Sequence, residues 1–564
     1  MIAISRHPPP DSASRGLPTS RFLGETKLVE SRLASPPLPR RRRGFQYPQS
    51  QVSLSTRALS TSIMTLRTFL SLTLGLAATH IATLVAAEIP DRPEKLTFPP
   101  LTYEPPNPAN YRVPLKAGPI AYVVPDRTLP LITISVMLRS GGYLDPQGKE
   151  GLAEFTGYLL ARGGTKSKTA EELEERLAFL AANLGSSIGD DSGSVSLNLL
   201  SKDLPEGLAI LREVLTVPRF QQNKLDLYRQ QSLQAMKQRN DDSTAIEGRE
   251  REFLAYGTNF WACRYTTESS VNAITQEDLQ AFHQRWIHPT NFVVAASGDF
   301  ERDVMIARLE QLFSDWPFQG ERPPPIPTNI AMAKPGIYFV NKDVNQGRVA
   351  ILLPGVMRDD PNFLTVQVMN DILGGGGFTS RVMNRVRSDE GLAYGAGTSF
   401  PGGVYFPLAF HAGFASKSRS VLYATSIVLE EMGRITAKPV TEEELVTAKR
   451  SFVDTFPENF NTKAKVANLF ARDEFTGRFA RNPNYWQQWR PRIEAVTQAD
   501  VQRVAKEYLH PDRAVILMVG QEGEISKGDA NHPMTFQQLS SGPLTQVPLR
   551  DPLTMEPLPL APTK

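Results

Sequence analysis

Val271-Asn-Ala-Ile-Thr-Gln-Glu-Asp-Leu-Gln280 and Ile493-Glu-Ala-Val-Thr-Gln-Ala-Asp-Val-Gln502 are two writings of one pattern. Thr275 and Thr497 each cap a helix. Both stretches run on into a turn, Trp286-Ile-His288-Pro289 and Tyr508-Leu-His510-Pro511, and both end in an apolar strand closed by Gly298 or Gly520. The offset is constant without a gap (510 − 288 = 222; 520 − 298 = 222). A gapless match of this length implies a duplicated domain. Strands and helices mix within each copy, which predicts an α+β fold of two homologous two-layer α/β domains, each a sheet with helices packed on it. The proline-rich run from Pro323 to Pro335 marks a linker, 321–336, between a first domain, 105–320, and a second, 337–521. From Glu522 the composition turns to Pro, Gln and Ser without periodicity, which predicts a Pro-rich tail over 522–564.

Within the first copy, Ile120 to Val124 and the alternating Leu131 to Leu138 read as strands joined by a turn at Asp126-Arg127-Thr128. Gly151 to Leu160 reads as a helix. Thr169-Ala-Glu-Glu172 is a capping box that opens another, predicted to run through Leu184 and stop at Gly185. Ser194 to Leu200 alternates as a strand, and 205–215 and 225–241 read as helices.

In the second copy the informative run is LGGGGFTSRVMNRVRSDEGLAYGAGTSF, from Leu373 to Phe400. The glycines Gly374, Gly375, Gly376 and Gly377 permit backbone angles closed to other residues and a close approach by another chain. Thr379 or Ser380 can cap a short helix with Val382, Met383 and Val386 on one face, Gly391 ends it, and Leu392 to Phe400 reads as a strand. Arg387 in the last helical turn and Tyr394 on the strand stand seven residues apart (394 − 387 = 7). A helix–turn–strand hairpin can bring guanidinium and phenol together, and both are donors suited to a peptide carbonyl or a developing oxyanion. The plainer reading is a helix-end Arg and a Tyr packed in a sheet.

The run from Leu373 to Gly395, with its lead-in Pro354 to Leu373, resembles the C-terminal half of the pitrilysin/insulinase-type zinc peptidases. That resemblance spans roughly residues 105 to 520. It implies two homologous domains facing each other across a cleft as a clamshell. It also implies that Arg387 and Tyr394 contact the substrate backbone and the reacting carbonyl, with Gly374 to Gly377 beside the substrate.

Active members of the family carry H-x-x-E-H on the first domain's helix, where two His bind zinc and the Glu activates water. Here the flanks GLA and GGT set the register, and the motif positions hold Glu154, Gly157 and Tyr158. The third ligand falls near Gln234 or Ala235, neither a good zinc ligand. The histidines beyond residue 88, His283, His288, His411, His510 and His532, show no ligand spacing with a carboxylate. The single cysteine, Cys263, carries no catalytic signature and excludes an internal disulfide framework. No metal site is therefore expected in this chain.

The loss of one half-site beside retention of the other matches, within the resembled family, the non-catalytic subunit of a paired peptidase. It implies a zinc-bearing partner chain, zinc in that partner rather than here, and a peptide substrate. The alternative is an inert structural or peptide-binding scaffold resembling the core proteins of respiratory complexes. An autonomous hydrolase of another mechanism lacks a nucleophile–base or metal set.

The net charge of +3 is concentrated toward the N-terminus, so no folded basic face and no nucleic-acid partner is expected. Residues 1–63, rich in Pro, Ser and Arg, read as a disordered or mis-assigned extension. Met64 to Arg67, the apolar run Phe69 to Ala87 and its small-residue end read as a signal peptide, 64–87, ahead of an extended segment, 88–104. This implies export to the periplasm or extracellular space, with no stable membrane span once the signal is removed. Anchoring by residues 69–87 is the alternative.

Overall fold

Leu131 to Leu138 shows how the sheets are made: Ile132, Ile134, Val136 and Leu138 are buried while the residues between them are less so. The computed structural model describes residues 103–560, together with Arg92 and Leu96. The readings placed on 1–63 and 64–87, and most of 88–104, lie outside the described residues. Every helix and strand named below belongs to the unit Pro99–Lys564.

The first sheet joins β1 (Arg112–Pro114), β2 (Ile120–Pro125), β3 (Leu131–Leu138), β4 (Asn183–Ile188), β5 (Gly193–Leu200) and β6 (Phe292–Gly298) in the order β1-β2-β6-β3-β5-β4. The second joins β7 (Gly336–Asn341), β8 (Gln346–Met357), β9 (Ala393–Ser399), β11 (Leu408–Lys417), β12 (Val515–Gly520) and β13 (Leu544–Gln546) in the order β13-β7-β12-β8-β11-β9. A short β10 (Gly402–Gly403) lies beside β8. Five strands match between the sheets, β2-β6-β3-β5-β4 and β7-β12-β8-β11-β9. In each set β2 and β6, or β7 and β12, are parallel and the other neighbours antiparallel. The two stretches 222 residues apart also fold alike. Helix α5 (Gln276–Trp286) opens on a capping box of Thr275 and Asp278, and α9 (Gln498–Tyr508) on one of Thr497 and Asp500. Each leads through a short 3-10 turn to a buried strand, β6 or β12.

The parallel pairs explain how the halves are joined. β2 and β6 are apolar along their length and buried on both faces, so each needs cover above and below. The second cover comes from the other half. Helix α8 (Lys463–Phe475) packs on β2 and β6, with Val466, Ala467 and Phe470 against Tyr122, Val124, Val293 and Ala295. Reciprocally, α4 (Ser243–Tyr256) packs on β8 and β12, with Ile246 against Val340, Ala350, Leu517 and Val519. A polar clamp seals the first of these crossings. Arg112 donates to both Glu474 carboxylate oxygens, at 2.8 and 3.1 Å, and the Tyr122 hydroxyl donates to the same group at 2.9 Å. Glu474→Ala leaves a guanidinium and a buried phenol without their acceptor. It is expected to lower stability by about 1–3 kcal/mol, read as a shift in the denaturation midpoint. An unchanged midpoint would show that the clamp is not part of the joint.

Two of the segments that differ from their sequence reading show why. The helix opened by Thr169, α2 (Ala170–Phe179), stops five residues short of Leu184 (184 − 179 = 5), with Ala181 at φ 48° just beyond its end. Leu184 instead pairs with Leu197, and Gly185 with Ser196, because β5 offers a full ladder that outweighs the helical pattern. The segment read as a Pro-rich tail carries structure of its own. β13 lies parallel to β7 on the second sheet's edge, after which the chain crosses to the first half. There Arg550 meets Glu250 at 3.2 Å, and the Leu553 carbonyl accepts from the Glu268 amide at 2.8 Å. Low periodicity here reflects short elements, the helical turns Glu522–Ile525 and Phe536–Leu539 beside β13, and not an absence of packing. The linker is extended and held to the end of α4, where the Ala331 and Ala333 amides donate to the Tyr256 and Leu254 carbonyls.

Candidate functional site

The helix that would carry the zinc motif is α1 (Leu152–Leu160). Its first turn is capped by Asp145, whose carboxylate oxygens accept from the Gly151 and Ala153 amides at 2.8 Å each. Burial pushes that carboxyl up to about 7. Glu154 is exposed on α1 and accepts from the hydroxyl of Tyr228, on α3 (Gln222–Lys237), at 2.7 Å. The Tyr158 ring stacks on Tyr228 with 3.7 Å between centroids, and Arg162 lies 4.6 Å over Tyr158. Burial and the nearby Glu154 raise the Tyr228 phenol well above its ordinary value, so it stays a protonated donor. Gly157 faces the other way. A Cβ on it would stand 2.1 Å from the Ile188 amide nitrogen and 2.7 Å from the Ser187 carbonyl carbon, both in β4. Ser186 seals this contact by donating to the Gly157 carbonyl at 2.6 Å and accepting from the Ala161 amide at 3.0 Å.

These residues do not fit a zinc ion. Two stacked phenols, a glycine pressed on a strand and one carboxylate already bonded make no tetrahedral donor set. Gln234 and Ala235 are exposed on α3. The histidines are dispersed. The His283 ring bonds the Leu215 carbonyl at 2.9 Å, His288 bonds the Glu321 carbonyl at 2.8 Å, and His411 lies 3.3 Å from an Arg251 nitrogen. Cys263 is buried, and burial pushes its thiol up to about 12, so it is not a nucleophile at neutral pH.

Burial also holds the His283 ring down to about 4, from an ordinary 6.5. The stability conferred by the neutral buried ring is thus present above about pH 6.5 and lost as pH falls toward about 4. Compared with a His283→Gln chain, the native chain should lose unfolding free energy across that window and match it in slope above neutrality. Parallel stability curves over the whole range would contradict a neutral His283.

The second half keeps its donors together. Helix α6 (Phe363–Asn370) runs into a π turn over Asp371–Gly375. A 3-10 turn (Gly377–Thr379), one short helical turn (Arg381–Met383) and a second π turn (Asn384–Asp389) follow before β9. π turns are rare, and two so close together re-aim the side chains they carry. Val382 and Val386 anchor the segment in the core. Arg381 pins it to α7 (Glu442–Thr455) by two hydrogen bonds to Glu444, at 2.6 and 2.8 Å. Gly391, at φ 63°, closes it.

The glycine run is approached by its own chain. A Cβ on Gly374 would stand 2.6 Å from the Thr398 amide of β9, and one on Gly375 2.5 Å from the Asn370 side chain. A Cβ on Gly376 would stand 2.8 Å from the Asp371 carbonyl. Only Gly377, at φ 60°, faces open space. Asn370 and Thr398 lock helix to strand, with the Thr398 hydroxyl donating to the Asn370 amide oxygen at 2.8 Å.

On this platform Arg387 and Tyr394 meet. The Arg387 guanidinium carbon lies 4.7 Å from the centroid of the Tyr394 ring and 4.6 Å from that of Phe378. Tyr394 is 88% exposed and Phe378 66%. The cavities containing Tyr158 and Glu154 include neither Arg387 nor Tyr394. A cavity of about 1040 Å³ between β3, β5 and α8 includes none of Glu154, Tyr158, Arg387 and Tyr394. Sequence reading misses Phe378 and Tyr228. An aromatic directly after a glycine run is the available signal for the first, and nothing local marks the second.

Residues 123–254 match the family described as Insulinase (Peptidase family M16), and residues 273–452 match the Peptidase M16 inactive domain. A protein of Helicobacter pylori named "Non-peptidase homolog YmxG" is 26% identical over 335 residues, 58% of this chain and 76% of the relative. An "Uncharacterized zinc protease" of Rickettsia bellii is 23% identical over 327 residues, 56% of this chain and 76% of the relative. The solved peptidase M16 inactive domain from Pseudomonas fluorescens has a like fold, with TM-score 0.65 and 23% identity, covering 72% of this chain and 97% of that one. A chain of Complex III2 from Candida albicans shares the fold at TM-score 0.57 and 15% identity, covering 76% of this chain and 99% of that one.

Proposed function

The chain belongs to the insulinase, or peptidase M16, family, and on that premise we propose that it is the non-catalytic, substrate-binding subunit of a two-chain zinc peptidase. A zinc-bearing partner of the same family would supply the metal and its activated water. This chain would supply Arg387 and Tyr394 in trans. The observation that carries the reading is the Arg387–Tyr394 pair, a half-buried guanidinium beside an exposed phenol. Two strong donors stand together on a built platform, Tyr394 is 88% exposed, and neither donates to any described residue. Arg387 would bind the substrate backbone. Tyr394 would donate to the carbonyl oxygen as it becomes negative, an interaction worth on the order of a few kcal/mol. β4 and β9 end their sheets, so an extended peptide can add to an edge through main-chain bonds. Selection would then follow shape and size more than side-chain sequence.

The signal-peptide pattern of 64–87 favours a subunit outside the cytoplasm, in the periplasm or beyond. Among the described residues, no helix is long and apolar enough to cross a membrane. The matching strand orders favour reading the two halves as copies of one domain. A second reading, an inert peptide-binding or structural scaffold, is favoured by the likeness in fold to a respiratory-complex chain.

The test mixes the full chain with a zinc-motif chain of the family from the same source and follows hydrolysis of an internally quenched fluorogenic peptide. Arg387→Ala is expected to form the complex, by light scattering after size exclusion, and to lose hydrolysis. Full activity with Arg387→Ala would refute the role. A complex inactive even with Arg387 present would select the scaffold.

A further inference from the structure

Phe378 stands out as a large apolar side chain turned to solvent beside a charged one. It occupies the middle of the 3-10 turn Gly377–Thr379 and is 66% exposed, so it contributes little to the core. The turn itself is firmly tied. The Ser380 hydroxyl donates to the Gly377 carbonyl at 2.7 Å, and the Thr379 hydroxyl to the Gly376 carbonyl at 2.9 Å. Arg381, next along the chain, is fixed by Glu444. The ring of Phe378 is thereby presented to Arg387, whose guanidinium carbon lies over it at 4.6 Å and over Tyr394 at 4.7 Å. A cation over a ring face is attracted by the ring quadrupole. A planar guanidinium flanked by rings keeps its N–H donors, which lie in its own plane, available for carbonyl oxygens.

We propose that Phe378 is the positioning residue of the Arg387–Tyr394 site: with Tyr394 it holds the Arg387 guanidinium plane before the peptide arrives, so that binding does not have to order a long, flexible side chain. A long cationic side chain left free in solvent would lose rotamer freedom on every binding event, and a pre-set one does not. The effect falls on peptide affinity, because Arg387 grips the backbone in the bound peptide as well as in the transition state.

The kinetic part of this inference rests on the proposed pairing, and the spectroscopic part does not. In the full chain labelled with 15N-arginine, the Arg387 Nε–H resonance, assigned by its loss in Arg387→Lys, is expected to be displaced upfield by ring currents. Phe378→Leu keeps an apolar side chain but no ring face, so the resonance should move toward the free-arginine position. Phe378→Trp should restore it. In the mixed pair, with the same quenched peptide, Phe378→Leu should raise KM about three- to fivefold, the strength of one exposed cation–ring contact, with kcat within about twofold. Phe378→Trp should return KM to the native value. A resonance unmoved by Phe378→Leu overturns the proposal whatever the kinetics. A moved resonance with unchanged KM in an active pair overturns it too. A moved resonance in a pair that is inactive even with Phe378 in place refutes the pairing and upholds the hold on Arg387.

Discussion

Rebuilding the zinc motif, by Glu154→His, Gly157→Glu and Tyr158→His together, is expected to yield a chain that fails to fold rather than a metallopeptidase. The outcome is decided at Gly157. Any side chain there begins with a Cβ 2.1 Å from a backbone nitrogen of β4 and 2.7 Å from a backbone carbonyl carbon. Such a clash cannot be relieved by a rotamer change, because the obstructing atoms belong to a strand paired along its length with β5. Either α1 lifts from the sheet, exposing Phe155, Leu159 and Leu160, or β4 leaves its ladder. Overpacking of a core costs about 1–3 kcal/mol when neighbours can adjust, and a backbone obstacle places this site at or above the upper end. The surrounding Ser186 bridge would be lost as well. Glu154→His alone, at an exposed position, is expected to fold. Thermal melts of the triple and single variants, with zinc content by mass spectrometry, decide the matter. A folded triple variant holding one zinc per chain would contradict the packing argument.

Removing one oxygen from Tyr394 is expected to cut turnover of the mixed pair by about 10²- to 10³-fold, the usual effect of losing one oxyanion donor. Tyr394→Phe is a clean deletion here. The ring that flanks Arg387 at 4.7 Å is kept, so the guanidinium stays in place, and at 88% exposure the hydroxyl leaves no cavity behind. KM should therefore stay close to the native value while kcat falls, the signature of an interaction made only in the transition state. Complex formation, followed by size exclusion, should be unaffected. A native kcat in Tyr394→Phe would remove the phenol from the reaction.

Much of the fold and of the candidate site is legible in the sequence wherever the cause is local. Thr275 and Thr497 announce their helices because capping is settled within one turn. The alternation of Leu131 to Leu138 announces a half-buried strand because side-chain period and burial coincide. Gly391 marks the end of the Arg387 segment because only φ above zero turns the chain there. At Glu154, Gly157 and Tyr158 residue type carries an expectation only, that the positions of the resembled zinc motif hold no zinc ligand set. The features that stay hidden depend on partners distant in sequence. Nothing in α4 or α8 says that each will cover the other half's sheet, since an apolar face is the same whichever sheet it meets. The end of α2 cannot be read from its own residues because β5 captures Leu184, a preference set by pairing rather than propensity. Tyr228 lies 70 residues beyond Tyr158 (228 − 158 = 70), and only the fold stacks them. Phe378 looks like one more residue of a loop until the turn presents it to Arg387.

If this chain holds the substrate-facing half of a site and its partner holds the metal, neither chain alone can hydrolyse peptide. The most direct measurement is the initial rate of hydrolysis at a fixed concentration of the zinc-bearing chain as this chain is titrated in. The rate is predicted to rise from near zero and to saturate at one copy of this chain per zinc-bearing chain. A rate already maximal before addition, or hydrolysis by this chain alone with zinc supplied, would contradict it.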